Sequence, residues 1–211
     1  MESAARVSGA RVTVVLVAAR LELDDNTTCS LYTRHRDTVT FYTVDIPALA
    51  ADTPLGEGRC RVHLLLTRLC LAAAFFRGGE YRHSSSAVVH LADALRVVLV
   101  WRLGGLYLDT DYVVLGDMTA YTAANVTVRS PTGLTNNAFS FSPRHPLLAL
   151  VMARMAAAYS PGCWTCIGPE LLTAAVAEYS KLHPARGDIT TLPLERWLIN
   201  IGIGISSTLR R

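Results

Sequence analysis

Two carboxylates spaced one residue apart, Asp109 and Asp111, follow directly on the apolar triplet Leu106–Leu108. On a strand, residues two apart point to the same face, so both side chains are expected to converge on one spot. The end of an apolar strand is also where α/β sheets gather their ligands. Two carboxylates there suit a hard divalent cation with oxygen ligands, Mg²⁺ or Mn²⁺. Such a cation can hold a diphosphate and stabilise it as a leaving group. The plain alternative is a polar turn, and the preceding apolar strand weighs against it.

A third carboxylate stands upstream. His90, Asp93 and Arg96 recur every three residues, which places them on one face of a helix. Asp93 lies inside an otherwise apolar stretch, where a carboxylate is costly unless paired. An ion pair with Arg96 would meet that cost. So would hydrogen bonds accepted from a nucleotide or a donor sugar, and the two are compatible.

These residues need elements to position them. Ser84–Ser86 offer helix caps, Ala87–Arg102 is helix-forming and apolar, and Gly104-Gly105 supply the left-handed residues that end it. Leu106–Leu108 reads as the short strand that delivers Asp109, with Tyr112–Leu115 continuing extended. Val12–Ala18 is a β-branched apolar run suited to a buried parallel strand. Thr38–Val44 reads as a second strand, and Ile46–Ala51 as a short helix stopped near Pro54. Later helices are predicted over Pro146–Tyr159 and Pro169–Lys181. Strands alternating with helices predict an α/β fold with a mainly parallel sheet flanked by helices.

Bulk properties narrow the function classes. The chain has 211 residues, 51% of them hydrophobic and 18% charged, which excludes disorder and allows one sizeable core. A net charge of +3 without basic stretches interleaved with aromatics speaks against a nucleic-acid partner. Mean hydropathy is +0.29. Even so, Val12–Ala19 is too short to span a bilayer, and His63–Phe76 is short and carries Arg68. Residues 1–21 lack the cleavage pattern of a secretory signal. Asn26 and Asn125 head glycosylation triplets, which are weak signs of a lumenal compartment. No feature fixes an oligomeric state.

The stretch His90–Leu115, HLADALRVVLVWRLGGLYLDTDYVVL, resembles the core motif of the α-1,4-glycosyltransferases. Asn136–Leu148, Trp164–Thr173, Glu2–Arg6 and Asp52–Leu55 resemble further segments of that family in order and spacing. The likeness reaches to about Lys181, and its DALR…GGLYLDTD portion is highly specific. It implies a GT-A-like nucleotide-sugar-binding fold over 1–211, with a donor-binding core at 84–115 and a C-terminal family region at 134–181. It also implies that Asp93 contacts the donor sugar and that Asp109 and Asp111 bind the metal, Mn²⁺ or Mg²⁺, and the nucleotide. Arg96, Gly105 and Tyr107 would line the same pocket, with Gly105 permitting close backbone approach. Asn136 and Asn137 match a substrate-proximal loop, and Gly168-Pro169 the start of a late helix.

The implied reaction is retaining, metal-dependent transfer of a hexose, galactose from UDP-galactose, in α-1,4 linkage to a galactose-terminated glycolipid such as lactosylceramide. N-acetylglucosamine transfer to a glycan is the alternative. Golgi membrane residence with a lumenal catalytic domain is implied as well, through an anchor absent from this chain. A first strand before Glu2 and a closing aromatic stretch after Leu192 are also expected, so the sequence reads as incomplete at both ends. A truncated module that binds nucleotide sugar without turnover is the non-enzymatic reading.

Tyr107–Val114 also resembles the first motif of haloacid-dehalogenase phosphatases, with Asp109 as nucleophile and Asp111 as general acid. That motif usually opens its domain, whereas here about half the chain precedes it. Cys163-x-x-Cys166 lacks a second ligand pair for zinc and the strand-to-helix setting of a redox motif, so a structural disulfide or free thiols are expected. Cys29, Cys60 and Cys70 complete the five cysteines. His145, before Pro146, reads as a helix-start residue rather than a ligand.

Overall fold

The computed structural model describes residues 2–16, 33–55, 82, 84–160 and 162–194. Asn26, Cys29, Cys60, Cys70, the His63–Phe76 run and everything after Leu194 lie outside the described residues. In chain order the elements are α1 (Glu2–Val7), β1 (Val12–Leu16), β2 (Val39–Thr43), α2 (Ile46–Ala50) and α3 (Ala87–Leu103). Then come β3 (Gly105–Leu108), α4 (Thr119–Thr122), β4 (Val126–Ser130), β5 (Gly133–Phe141), α5 (Pro146–Ala158), α6 (Pro169–Leu182) and β6 (Thr190–Leu192). The predicted helices and the first two strands agree with these bounds to within about two residues.

β1 and β2 pair in parallel, from Val12 opposite Val39 to Leu16 opposite Thr43. The larger sheet departs from the expectation. Its order is β3-β5-β4-β6, with β3/β5 and β4/β5 antiparallel and only β4/β6 parallel. A mainly parallel sheet is therefore corrected to a mixed one. The physical reason is the connection: β4 and β5 are separated by Pro131 and Thr132 alone, and so short a link can join only antiparallel neighbours.

Helices α3, α5 and α6 cover one face of this sheet. Leu95, Val98, Phe139, Phe141, Leu147, Met152 and Leu172 meet there in the main core. Alternation along β3 divides the two faces. Tyr107 packs toward that core, its ring 5.5 Å from Phe139, while Leu106 and Leu108 join a smaller cluster around Val114, Met118 and Ala138. α1 supports this second side, because the Ser3 Oγ accepts from the Val114 N–H (3.0 Å) and the Ser8 carbonyl from the Met118 N–H (2.7 Å).

Two junctions fix the elements that matter. α3 is buried along most of its length, from His90 to Trp101, and ends where the Gly104 N–H reaches the Val100 carbonyl. Gly104 and Gly105 have φ of +70° and +90°, so the chain reverses into β3 in a conformation other residues rarely adopt. A Cβ on Gly104 would also lie 2.6 Å from Pro143 Cδ. α5 opens with Pro146 at its first turn, and the buried His145 caps it, Nδ1 accepting the Leu147 N–H at 3.2 Å. His145 is thus the helix-start residue expected, with Asp188 facing Nε2 at 3.3 Å. Among the described residues no helix is long and apolar enough to cross a membrane.

Candidate active site

The ladder between β3 and β5 pairs Leu108 with Ala138. It runs one step further, because the Asp109 N–H donates to the Asn137 carbonyl at 2.9 Å. That register sets Asp109 beside Asn136 and Asn137. β3 stops there, and the Tyr112 N–H returns to the Asp109 carbonyl at 3.2 Å. Thr110 and Asp111 therefore lie in a turn rather than a strand, and Tyr112–Leu115 does not continue as one. The pleat places Asp109 alone. The position of the exposed Asp111 is set by the turn.

Arg96 reaches this point from α3 and holds it together. Its Nη1 lies 3.1 Å from Asp109 Oδ1 and donates to the Asn136 carbonyl at 2.9 Å. Nη2 is 3.3 Å from Asp93 Oδ1, and Nε donates to the Ala92 carbonyl at 3.2 Å. The guanidinium also lies 5.0 Å from the centre of the Tyr107 ring, within cation–π range. A rigid fork that serves two carboxylates and two carbonyls is work a lysine could not do.

Both carboxylates are committed. Asp93, one of the most buried charged groups among the described residues, accepts from Asn136 Nδ2 at 2.7 Å. Burial pushes its carboxyl above the ordinary range, while Arg96, the Asn136 bond and His90 pull the other way. Asp109 Oδ1 also accepts from the Tyr107 hydroxyl at 2.6 Å. Burial raises the Tyr107 phenol far above its usual value, which keeps it a neutral donor. Asn137 steadies the turn, its Oδ1 accepting from the Tyr112 hydroxyl (2.7 Å) and from Thr135 Oγ1 (2.6 Å).

Of the residues singled out from sequence, Asp93, Arg96, Tyr107, Asp109 and Asn136 form one bonded network, with Asn137 and Asp111 adjoining it. Gly105 is not gathered there. It stands at the opposite end of β3, paired with Phe141, and its conformation rather than a close approach accounts for it. Gly168, at the start of α6, does abut the network: a Cβ on it would lie 2.8 Å from Asp93 Oδ2 and 3.2 Å from Asn136 Nδ2. Gly168→Ala is therefore expected to cost about 1–3 kcal/mol, as overpacking does, and to weaken any ligand held by Asp93. Urea denaturation checks this, and an unchanged midpoint would mean that the loop yields. The contacts of Tyr112 and Thr135 with Asn137 could not be anticipated, because they depend on the β5 register.

Beside the network opens a mostly apolar cavity of about 380 Å³, bounded by Val12–Val14, Leu95, Leu99 and Leu106, with Arg96 and Asp109 in its wall. It offers apolar walls for a flat group, with Arg11, Arg96 and Asp109 as the charged side chains in its lining. The two carboxylates paired with Arg96, together with the exposed Asp111 two residues beyond Asp109, outnumber its single positive charge and favour a cation near Asp109. Among the described residues no three His, Cys, Asp or Glu side chains gather as a metal cage. Asp109 and Asp111 nevertheless suit Mg²⁺ or Mn²⁺, which are bound through one or two carboxylates while phosphates and water complete the shell. Cys163 and Cys166 are free thiols.

The profile described as "Glycosyltransferase sugar-binding region containing DXD motif" matches residues 26–130. That described as "Alpha 1,4-glycosyltransferase conserved region" matches residues 140–190. The lactosylceramide 4-alpha-galactosyltransferase of Mus musculus is 30% identical over 158 residues, 72% of this chain and 39% of that protein. Its Homo sapiens counterpart is 37% identical over 112 residues, 50% of this chain and 31% of that protein. The Homo sapiens alpha-1,4-N-acetylglucosaminyltransferase is 28% identical over 149 residues, 70% of this chain and 38% of that protein. The chain thus spans 39% of the length of its mouse relative. The PaToxG glycosyltransferase shares the fold, with a TM-score of 0.56 at 12% identity over 88% of this chain and 64% of that one.

Proposed function

This chain belongs to the α-1,4-glycosyltransferase family, and from that premise we propose that it transfers galactose from UDP-galactose to the 4-hydroxyl of a galactose-terminated glycolipid such as lactosylceramide. The observation that carries the reading is Arg96, fixed between Asp93 and Asp109 beside an apolar cavity. The base of a nucleotide suits the apolar walls, and its diphosphate suits the Asp109–Asp111 end once a divalent cation is bound. That cation would hold the diphosphate and stabilise it as it leaves. Asp109 and Asp111 would be its protein ligands, with Tyr107 and Arg96 fixing Asp109 through Oδ1. Residues 1–211 would act as one GT-A-like glycosyltransferase domain, in the Golgi membrane with its catalytic side in the lumen.

Asp93 would orient the donor sugar. Its Oδ1 is already shared by Arg96 and Asn136 and its Oδ2 abuts Gly168, so it is poorly placed to attack an anomeric carbon. Retention is then better served by displacement on one face. The acceptor oxygen bonds to the anomeric carbon, the bond to the diphosphate breaks, and the acceptor proton passes to the departing phosphate oxygen. Catalysis rests on orientation and on stabilising the leaving group.

A calorimetric titration tests this with UDP-galactose and UDP-N-acetylglucosamine, first in Mn²⁺ and then in chelator. UDP-galactose is expected to bind about tenfold tighter, a difference of ~1.4 kcal/mol, and only with metal. The reverse preference would favour the second reading, N-acetylglucosamine transfer, which the 28% identity to the human enzyme of that name supports. Binding of neither donor would sink both.

A further inference from the structure

Trp101 is buried in the core, whereas Trp164 is 66% exposed. Among the described residues the Trp164 ring has no hydrogen-bonding, aromatic or cationic partner. Its backbone neighbours are nevertheless fixed. The Cys163 carbonyl accepts from His90 Nε2 at 2.7 Å, and the Thr165 carbonyl accepts from the Gly168 N–H at 3.0 Å. Thr165 Oγ1 also donates to Glu170 Oε1 at 2.6 Å. A large apolar ring is thus held out in water by a loop that is already ordered. Covering the ring releases its hydration, and little ordering cost opposes a ligand that does so.

The loop sits beside the reaction centre. His90 and Asp93 lie one turn apart on α3, and the loop touches the first through Cys163 and the second through Gly168. Trp164 is four residues from Gly168, so their Cα atoms are separated by at most about 14 Å.

We propose that Trp164 is the platform for the acceptor, a terminal β-galactoside that stacks the apolar face of its ring on the indole. The proposal rests on the glycosyltransferase reading above. The chemistry of galactose supports the choice. H3, H4 and H5 make an apolar patch on one side of the pyranose, while the axial 4-hydroxyl projects from the other. Stacking on the patch therefore covers the side that does not react and leaves O4 free to face the donor. Indole is the side chain with the largest face for such a contact, and its area gives affinity without demanding hydrogen bonds from the loop.

Two measurements test it. Saturation-transfer NMR of the intact chain with methyl β-galactoside, without donor or metal, should show the strongest transfer at H3, H4 and H5. That transfer should vanish in Trp164→Ala and persist in Trp164→Phe. In steady-state transfer to lactose, Trp164→Ala should raise the acceptor KM about tenfold while the affinity for UDP-galactose stays as in wild type. Uniform or absent transfer from wild-type protein to the galactoside would overturn the proposal, as would an unchanged acceptor KM. Loss of metal-dependent UDP-sugar binding by wild type is a separate outcome. It would remove the glycosyltransferase reading, and the galactoside NMR would still decide whether Trp164 binds sugar.

Discussion

Asp109→Ala is expected to reduce glycosyl transfer by about three orders of magnitude, the range seen when a group that stabilises developing charge is removed. The residue holds three connections at once. Its Oδ1 takes the Tyr107 hydroxyl and the Arg96 guanidinium, and its N–H closes the β3–β5 ladder on the Asn137 carbonyl. The remaining oxygen is the one available to a cation. Asp109→Asn preserves the size and an Oδ1 acceptor while removing the charge, so it should fold like wild type and lose Mn²⁺-dependent nucleotide binding as fully as the alanine variant. Asp111→Ala should lose metal binding with no change in stability, because Asp111 is exposed and, among the described residues, makes no hydrogen bond or ion pair through its side chain. Titration of each variant with UDP and Mn²⁺, alongside thermal melts, separates these effects. Metal-dependent binding surviving in both Asp109→Ala and Asp111→Ala would end the clamp assignment.

The part of the molecule legible from sequence is the part whose signals are local. α3 is written in an apolar run between serines and a glycine pair, and the Asp93–Arg96 ion pair follows from a spacing of three on one helix. Asp109 at a strand end was equally readable, since an apolar triplet precedes it. The hairpin of β4 and β5 was not. Ala138–Phe141 are buried on both faces and the polar run Thr135–Asn137 precedes them, so no alternation of strand length announces β5. Without that hairpin the sheet looked parallel, and the neighbours of Asn137 were invisible. Asp111 departs from the strand pattern for a different reason. Strand pairing ends with Asp109, and the next two residues lie in a turn closed by the Tyr112 N–H. Long-range pairing, not composition, decides both points.

Replacing Arg96 by Met should destabilise the protein by about 3–5 kcal/mol at neutral pH, because it strands a buried carboxylate without its cation. Met keeps an apolar stem against Tyr107, so the loss would be chiefly electrostatic. Asp93 and Asp109 do not suffer alike. The Asp109 side chain is 31% exposed and water can screen it, whereas that of Asp93 is 5% exposed and keeps only Asn136 and, more weakly, His90. Burial already lifts the Asp93 carboxyl above its ordinary 3.8, and Arg96 is the strongest influence holding it down. Without Arg96 that carboxyl rises further. A carboxyl raised in the folded state binds protons more readily there than in the unfolded chain, so stability falls as pH climbs through the interval between the two values. The deficit of Arg96→Met relative to wild type should therefore be largest at neutral pH and shrink on acidification toward the unfolded-state value. Adding Asp93→Asn should recover much of the loss at neutral pH and flatten its pH dependence. Urea unfolding of wild type, Arg96→Met and the double variant across this pH interval measures all three terms. A deficit that is independent of pH and indifferent to Asp93→Asn would show that Arg96 acts through its packing on Tyr107 and not as the counter-ion of a buried acid.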